Sequence, residues 1–332
     1  MNPIPAPRKP MKLNPLSANP LVSILIPSYN QGQFIGDTID SILQQDYRPI
    51  KIHVVDGAST DGTLDVLKSY GKIPELEWVS APDKGVVDAV NKGFELLEGD
   101  ICGIQSSDDM YLPGTIRSVV ELFQQHEAAG LVYGDTVKVD SDGNEILRHH
   151  TGDFSLENLF KLKTWIPQPS AFFRREMLET CGGWNEAIPY APDTDLWIRM
   201  AFRAQVIKSA DFLSQRRMHD EQRDTQGEKI IRDYCLMIDQ SPDIAASSPQ
   251  IQRAARASKY LMKIRYNPTG SDWRNAWNRF RAGQISPELR DISGLLHDLL
   301  LPARRVLSAV KQTIAKPAAN RHNKSSAPCS KP

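Results

Sequence analysis

The chain has 332 residues, with 40 lysines and arginines balanced by 40 aspartates and glutamates. That length is enough to bury a sizeable core, so a chain disordered throughout is excluded. The balanced charge excludes the global positive field of a nucleic-acid binder, and any partner must be chosen by local patches.

A Pro-rich leader over residues 1–20 carries basic residues but no apolar stretch of signal-peptide length. Leu21-Val22-Ser23-Ile24-Leu25-Ile26, bounded by Pro20 and Pro27, is a near-continuous apolar run of the kind a strand buried on both faces requires. Ile35, Ile39, Ile42 and Leu43 fall at helical spacing, and Lys51 to Val55 form a second short run ending in Asp56. Leu64, Leu67 and Tyr70 predict a helix, Leu76 to Val79 a strand, Val86 to Leu97 a helix and Ile101 to Ile104 a strand. Such alternation predicts a mostly parallel, doubly wound α/β sheet.

Ile116 to Phe123 give another helix and Leu131 to Tyr133 a strand, after which Ser141-Asp142-Gly143-Asn144 marks a hairpin and opens a mixed second half. A helix opens at Pro192, and the β pattern fades near Asp211. Residues 221–301 read as helical only, with a weak turn signal at Asn267-Pro268-Thr269-Gly270. The stretch 302–332 has basic residues from Arg304 to Lys331 and no acid, and its composition predicts disorder. Cys102, Cys181, Cys235 and Cys329 lack metal-finger or CxxC spacing, which fits free thiols in a reducing compartment. No uncharged run is long enough to span a bilayer, so the expected location is cytoplasmic, with room for contact at the inner face of the membrane.

In an open parallel sheet, ligands bind beyond the carboxyl ends of the strands. The first strand ends in Pro27-Ser28-Tyr29-Asn30, the second in Asp56-Gly57-Ala58-Ser59-Thr60-Asp61-Gly62 and the fourth in Ser106-Ser107-Asp108-Asp109. Adjacent carboxylates beyond a buried strand are costly unless positive charge accompanies them. A magnesium or manganese ion sharing its shell with phosphate oxygens would supply that charge, whereas the competing reading makes the aspartates caps of the helix after Pro113.

Those three strand ends, at these spacings, resemble family 2 glycosyltransferases with the GT-A fold. Asp83-Lys84-Gly85-Val86-Val87-Asp88, Gln168-Pro169-Ser170-Ala171-Phe172-Phe173, Gly182-Gly183-Trp184 and Asp193-Thr194-Asp195-Leu196-Trp197 extend the resemblance from about Leu21 to His219. It implies a glycosyltransferase domain over 21–220, with a nucleotide-binding half to about 130 and an acceptor half beyond, followed by a helical C-terminal extension. It also implies donor contacts from Pro27, Tyr29, Asn30, Asp56, Asp83, Lys84, Asp88 and Asp108, with Tyr29 against the base, Asp56 near base or ribose and Asp108 on the ribose. Asp109 would hold a divalent cation, Mn or Mg, and Asp193 would be the base of an inverting transfer. Where many relatives have a second acid after the second strand, this chain has Gly57, and where they have an acid before the base it has Pro192.

Pro192 in a first helical turn puts Asp193 at a helix N-terminus, whose partial charge favours an ionised carboxylate. Asp195 is the fallback base, but it points elsewhere on the helix and is spaced to pair with Arg199. His219 either touches the metal or pyrophosphate or is a surface residue of a basic loop. Asp88 is either a donor contact or a helix-surface carboxylate, and Trp184 and Trp197 are a sugar platform or core.

The implied partners are a nucleotide-diphosphate sugar and a glycan or lipid-linked glycan acceptor. Leu295, Leu296, Leu299, Leu300 and Leu301 followed by Arg304 and Arg305 offer either an interfacial segment for anionic lipid or packing on the core or a second subunit. A nicotinamide-dependent dehydrogenase lacks its G-x-G-x-x-G turn here, and a non-catalytic glycan-binding relative should have lost the acids that Asp108, Asp109 and Asp193 retain.

Overall fold

A computed structural model describes residues 11–219, 226–267 and 272–300. The tail from 302, Cys329, the start of the leader and the turn residues Pro268 to Gly270 lie outside them.

The chain opens with β1 (Val22–Ser28), α1 (Ile35–Leu43), β2 (Ile50–Asp56), α2 (Thr63–Ser69), β3 (Leu76–Ser80), α3 (Val86–Phe94) and β4 (Ile101–Ile104). The four strands lie parallel in the order β3-β2-β1-β4. Strand β1 shows why the apolar run is unbroken. Its Ile24 and Ile26 enter one core with Ile39, Ile116 and Phe123, while Leu25 enters another with Val90, Phe173 and Trp197, as period-two side chains between two covered faces must. Helix α1 buries Ile35, Thr38, Ile39 and Ile42, one stripe of a 3.6-residue period.

The second half contains β5 (Met110–Tyr111), α4 (Thr115–Gln125), β6 (Ala129–Val139), β7 (Glu145–His149), α5 (Leu156–Phe160), β8 (Ala171–Arg174), α6 (Glu176–Cys181), α7 (Pro192–Ala201) and β9 (Gln205–Arg217). Strand β8 lies antiparallel between β4 and β6, β6 runs parallel to β9, and β5 and β7 pair antiparallel with β9 and β6. Among the described residues the strands form one nine-stranded mixed sheet. The hairpin turns at Gly143, whose φ of 86° suits a residue without a β-carbon. Strand β9 continues to Arg217, beyond the point near Asp211 where the β pattern fades, because its backbone stays paired with β6 and β5 while Gln215, Arg216 and Arg217 carry no apolar signal.

The helices α8 (Gly227–Gln240), α9 (Pro242–Ala246), α10 (Pro249–Arg265) and α11 (Trp273–Ile285) follow, with a further helical stretch over 292–300. They are not a detached appendage. Ile230, Tyr234, Met237 and Met262 share a core with Leu159, Phe160 and Ile198, and the buried Arg203 pairs with Asp243 at 2.8 Å. Asp233 accepts the Tyr190 N–H at 2.8 Å. Among the described residues no helix is long and apolar enough to cross a membrane, and Cys102, Cys181 and Cys235 are free thiols.

Candidate active site

The loops after β1 and β2 are tied to each other. Asn30, at φ 52°, donates its N–H to Ser59 Oγ at 2.7 Å, and its Oδ1 accepts the Thr60 N–H at 2.9 Å. This clamp leaves Tyr29 59% exposed, unusual for an aromatic ring beside a buried strand and suited to a flat ligand. Asp56 faces the other way. It is fully buried, its Oδ1 accepts Ser59 Oγ at 2.5 Å, and its Oδ2 accepts the Ser59 N–H at 3.0 Å and Ser80 Oγ at 2.6 Å.

Gly57 sits where a side chain has no room. A β-carbon there would stand 2.5 Å from Asp83 Oδ2 and 3.3 Å from Tyr29 Cδ2. The glycine therefore marks a close approach of Tyr29 and Asp83, and the space of a second acid is taken by Asp83 from a different loop. Asp83 Oδ1 accepts the Gly85 N–H at 2.7 Å, while Asp88 Oδ2 accepts the Lys84 N–H at 3.0 Å and the Lys92 ammonium at 2.8 Å. Both acids thus shape the turn that starts α3.

Beyond β4, Asp108 Oδ2 lies 2.8 Å from His219 Nε2. Asp109 is buried, with Oδ1 accepting the Arg217 N–H at 2.9 Å. Burial, and next the charge of Asp108, push the Asp109 carboxyl well above the usual carboxylate range, with Arg216 and Arg217 opposing. Among the described residues no group of three or more His, Cys, Asp or Glu is arranged to hold a metal ion unaided. A cation completing its shell with phosphate and water needs only one or two protein carboxylates, and positive charge would offset the cost of a buried Asp109 beside Asp108.

A second part of the wall begins where Pro192 and Asp193 open α7. Asp195 is buried and gripped by Arg199, whose Nη2 lies 2.6 Å away and whose guanidinium also donates to the Cys181 and Gly183 carbonyls. Trp197 is core, 5.8 Å from Phe173 between ring centroids. Trp184 is fastened to α3, its N–H donating to Asn91 Oδ1 at 2.8 Å and its carbonyl accepting from Asn91 Nδ2 at 2.9 Å.

A single cavity of about 1770 Å³ joins these walls. Pro27, Tyr29, Asn30, Asp83, Lys84, Asp88, Asp108, Asp109, Asp193 and His219 all line it, as do Trp184 and Trp197, whereas Asp56 and Asp195 do not. The sequence reading missed Arg217, which is 3% exposed and donates to the Asp108 carbonyl at 3.1 Å, the Ser141 carbonyl at 2.6 Å and Asp37 Oδ2 at 2.9 Å. Arg216-Arg217 was visible only as a basic dipeptide, and nothing local in the sequence names acid partners so far away. In the sequence Gln168 is only the first residue of the Gln168-Pro169-Ser170 motif. It donates to the Ile104 carbonyl and accepts from Ser106 Oγ at 3.0 Å, which fixes the loop that carries Asp108 and Asp109.

The profile of Glycosyl transferase family 2 matches residues 23–182. A PGL/p-HBAD biosynthesis glycosyltransferase of Mycobacterium bovis (strain BCG / Pasteur 1173P2) is 31% identical over 185 residues, covering 55% of this chain and 70% of that protein. A hyaluronan synthase of Pasteurella multocida is 29% identical over 194 residues, but those cover 58% of this chain and only 20% of the synthase. Among solved structures, the S. aureus TarS 1–349 complex with UDP-GlcNAc superposes with a TM-score of 0.61 at 16% identity, covering 88% of this chain and 87% of that one. The Pyrobaculum calidifontis mannosyltransferase PcManGT with GDP-Man and Mn2+ gives 0.60 at 20% identity, covering 93% and 85%. The chain belongs to glycosyl transferase family 2 and has the GT-A-type fold, a mixed α/β sheet with helices and a helical C-terminal extension. Its class is that of glycosyltransferases, and the dehydrogenase reading falls with that assignment.

Proposed function

We propose that the protein transfers a sugar from a nucleotide-diphosphate donor to an acceptor hydroxyl with inversion at the anomeric carbon. The observation that carries this reading is that Asp108, Asp109 and His219 line the same cavity as Asp193. Tyr29 packs against the nucleobase, and Pro27 and Asn30 frame it. Asp56 acts on the donor through the loop it anchors. Asp83, Lys84 and Asp88 meet the donor at the start of α3, and Asp108 takes the ribose.

Asp109, together with His219, which lies against the adjacent Asp108, would hold a divalent cation, Mn or Mg, and that ion would supply positive charge to the donor diphosphate. The complex of PcManGT with Mn2+ supports this choice of ion. Asp193 takes the proton of the acceptor hydroxyl, whose oxygen bonds to the anomeric carbon as the bond to the diphosphate oxygen breaks, and the nucleoside diphosphate leaves. Asp193 lines the cavity and Asp195 does not, which supports Asp193 over its neighbour, and the helix N-terminus favours an ionised base.

The acceptor is a glycan or lipid-linked glycan of a surface polysaccharide or glycolipid, and the protein works in the cytoplasm with peripheral contact at the inner membrane face. Support comes from α11, where Trp273, Trp277 and Phe280 are exposed at i, i+4 and i+7 beside Arg274 and Arg281, and from the exposed Ile292, Leu296, Leu299 and Leu300. Aromatic and basic residues on one face suit an anionic lipid interface.

Calorimetry with UDP and GDP sugars, with and without manganese, paired with a nucleotide-release assay, tests the central reading. Asp109→Asn should abolish the metal-dependent part of donor binding. Asp193→Asn should bind donor normally and lose turnover. A normal transfer rate in the Asp193 variant removes it as the base.

A further inference from the structure

The cavity does not stop at Asp193. Its far wall is formed by the β6–β7 hairpin, residues 159–166 and the C-terminal helices α8 and α10. Register explains which hairpin residues face it. Lys138 pairs with Leu147 and Thr136 with His149 across the antiparallel ladder, so Lys138 and His149 are diagonal neighbours on one face. The His149 ring meets Trp165 edge-on with centroids 5.2 Å apart. Arg265, from the last turn of α10, brings a third cationic or ionisable group to the same wall.

The floor of this wall is apolar, because Tyr234 and Met262 belong to the core that α8 and α10 share with Leu159. The lining contributed by these four segments contains no acid; the carboxylates of the cavity come from the donor loops and from Glu186 and Asp193. Burial, followed by the charges of Lys138 and Arg265, holds the His149 imidazole below its ordinary value, with Asp135 opposing and His150 adding slightly. Trp165 also carries a buried indole N–H without a hydrogen-bond partner among the described residues.

We propose that Lys138, His149 and Arg265 form an acceptor subsite for an anionic group, a carboxylate or a phosphate ester, carried next to a ring that lies on Trp165. The proposal rests on the glycosyltransferase reading and deepens it, since it assigns the class of acceptor to a wall that the C-terminal helices complete. Arg265 supplies a planar fork of donors that matches either anion. Lys138 adds a point charge, and the apolar floor receives the uncharged face of the ring. An anion bound here also favours the protonated imidazole of His149.

The test is a proton NMR titration of His149 in the full chain with three probes: methyl glucuronide, phenyl phosphate and the neutral methyl glucoside. The two anionic probes should shift the His149 ring resonances and raise their titration midpoint, and the neutral glucoside should do neither. A response to methyl glucuronide alone assigns a carboxylated sugar, and a response to phenyl phosphate alone assigns a phosphate ester. Arg265→Gln, at an exposed position, should weaken binding of the responding anion by about tenfold, the loss of one charge-assisted hydrogen bond. Equal responses to charged and neutral probes, or unchanged affinity in the variant, overturn the subsite. Binding of UDP and GDP to the same wild-type sample separates the two levels. Nucleotide binding without any His149 response removes the subsite alone, while a His149 response without nucleotide binding removes the transferase reading and keeps the anion site.

Discussion

Arg217 donates its backbone N–H to Asp109 Oδ1 at 2.9 Å across 108 positions of sequence, so the end of β9 positions the carboxylate that follows β4. Its guanidinium also holds the Asp108 and Ser141 carbonyls. The ion pair to Asp37 adds little, because the Asp37 side chain is 59% exposed. Arg217→Met should therefore lower stability by about 2 kcal/mol, mainly through two charged hydrogen bonds to carbonyls, and should weaken manganese-dependent nucleotide binding. Urea denaturation read beside calorimetry measures both, and an unchanged midpoint with unchanged binding would contradict the positioning role.

Gly57→Asp restores the second acid seen in many relatives, yet here it should harm the site. The new β-carbon would press on Asp83 and the new carboxylate would repel it. Nucleotide affinity should fall by about tenfold, the equivalent of 1.4 kcal/mol of lost contact. Tighter binding in a fluorescence titration would show that Asp83 moves aside and that the glycine is not a spatial requirement.

His53, buried on β2 and aligned with Leu25 and Glu77, should make the fold acid-sensitive. Burial holds its imidazole below the ordinary value and Lys51 adds to this, while Glu77 and Glu98 oppose. The unfolded chain titrates this histidine near the ordinary value of about 6.5. Between the lowered native value and that point the unfolded state binds more protons, so stability is fully present above it and is lost as pH falls. His53→Gln removes this one contribution. Melting curves from pH 7.5 down to 5.5 should show the wild type losing stability faster than the variant, and parallel curves would refute the assignment.

Liposome flotation addresses the exposed face of α11. Full-length protein should float with vesicles containing anionic phosphatidylglycerol and remain at the bottom with neutral phosphatidylcholine or at high salt. The double variant Trp273→Ser, Trp277→Ser should lose flotation while retaining its fold, since both rings are more than half exposed. Equal flotation of wild type and variant would eliminate this face as the membrane contact.

The parallel half of the sheet was readable from the sequence because buried parallel strands are written as uninterrupted apolar runs, as in Leu21 to Ile26. The end of β9 was not, because Gln215, Arg216 and Arg217 carry no apolar period and the polar partners of Arg217 lie far off in the chain. The cavity lining includes residues of the three strand ends and of the Asp193 motif, all named from the sequence. The inward turn of Asp56 was hidden, since it depends on Ser80, which comes from a different strand. The share of the C-terminal helices in the cavity was hidden for the same reason: helical periodicity shows that Tyr234 and Met262 are apolar-face residues, not which distant wall that face completes.

The reciprocal pair of bonds between Asn91 and Trp184 staples α3 to the loop whose Gly183 carbonyl Arg199 holds. Spreading the waist of the enzyme at that point would forfeit both bonds, each worth on the order of 1 kcal/mol, and would strand their amides. The two bonds therefore set the position of the cavity wall at Trp184 from within the fold itself.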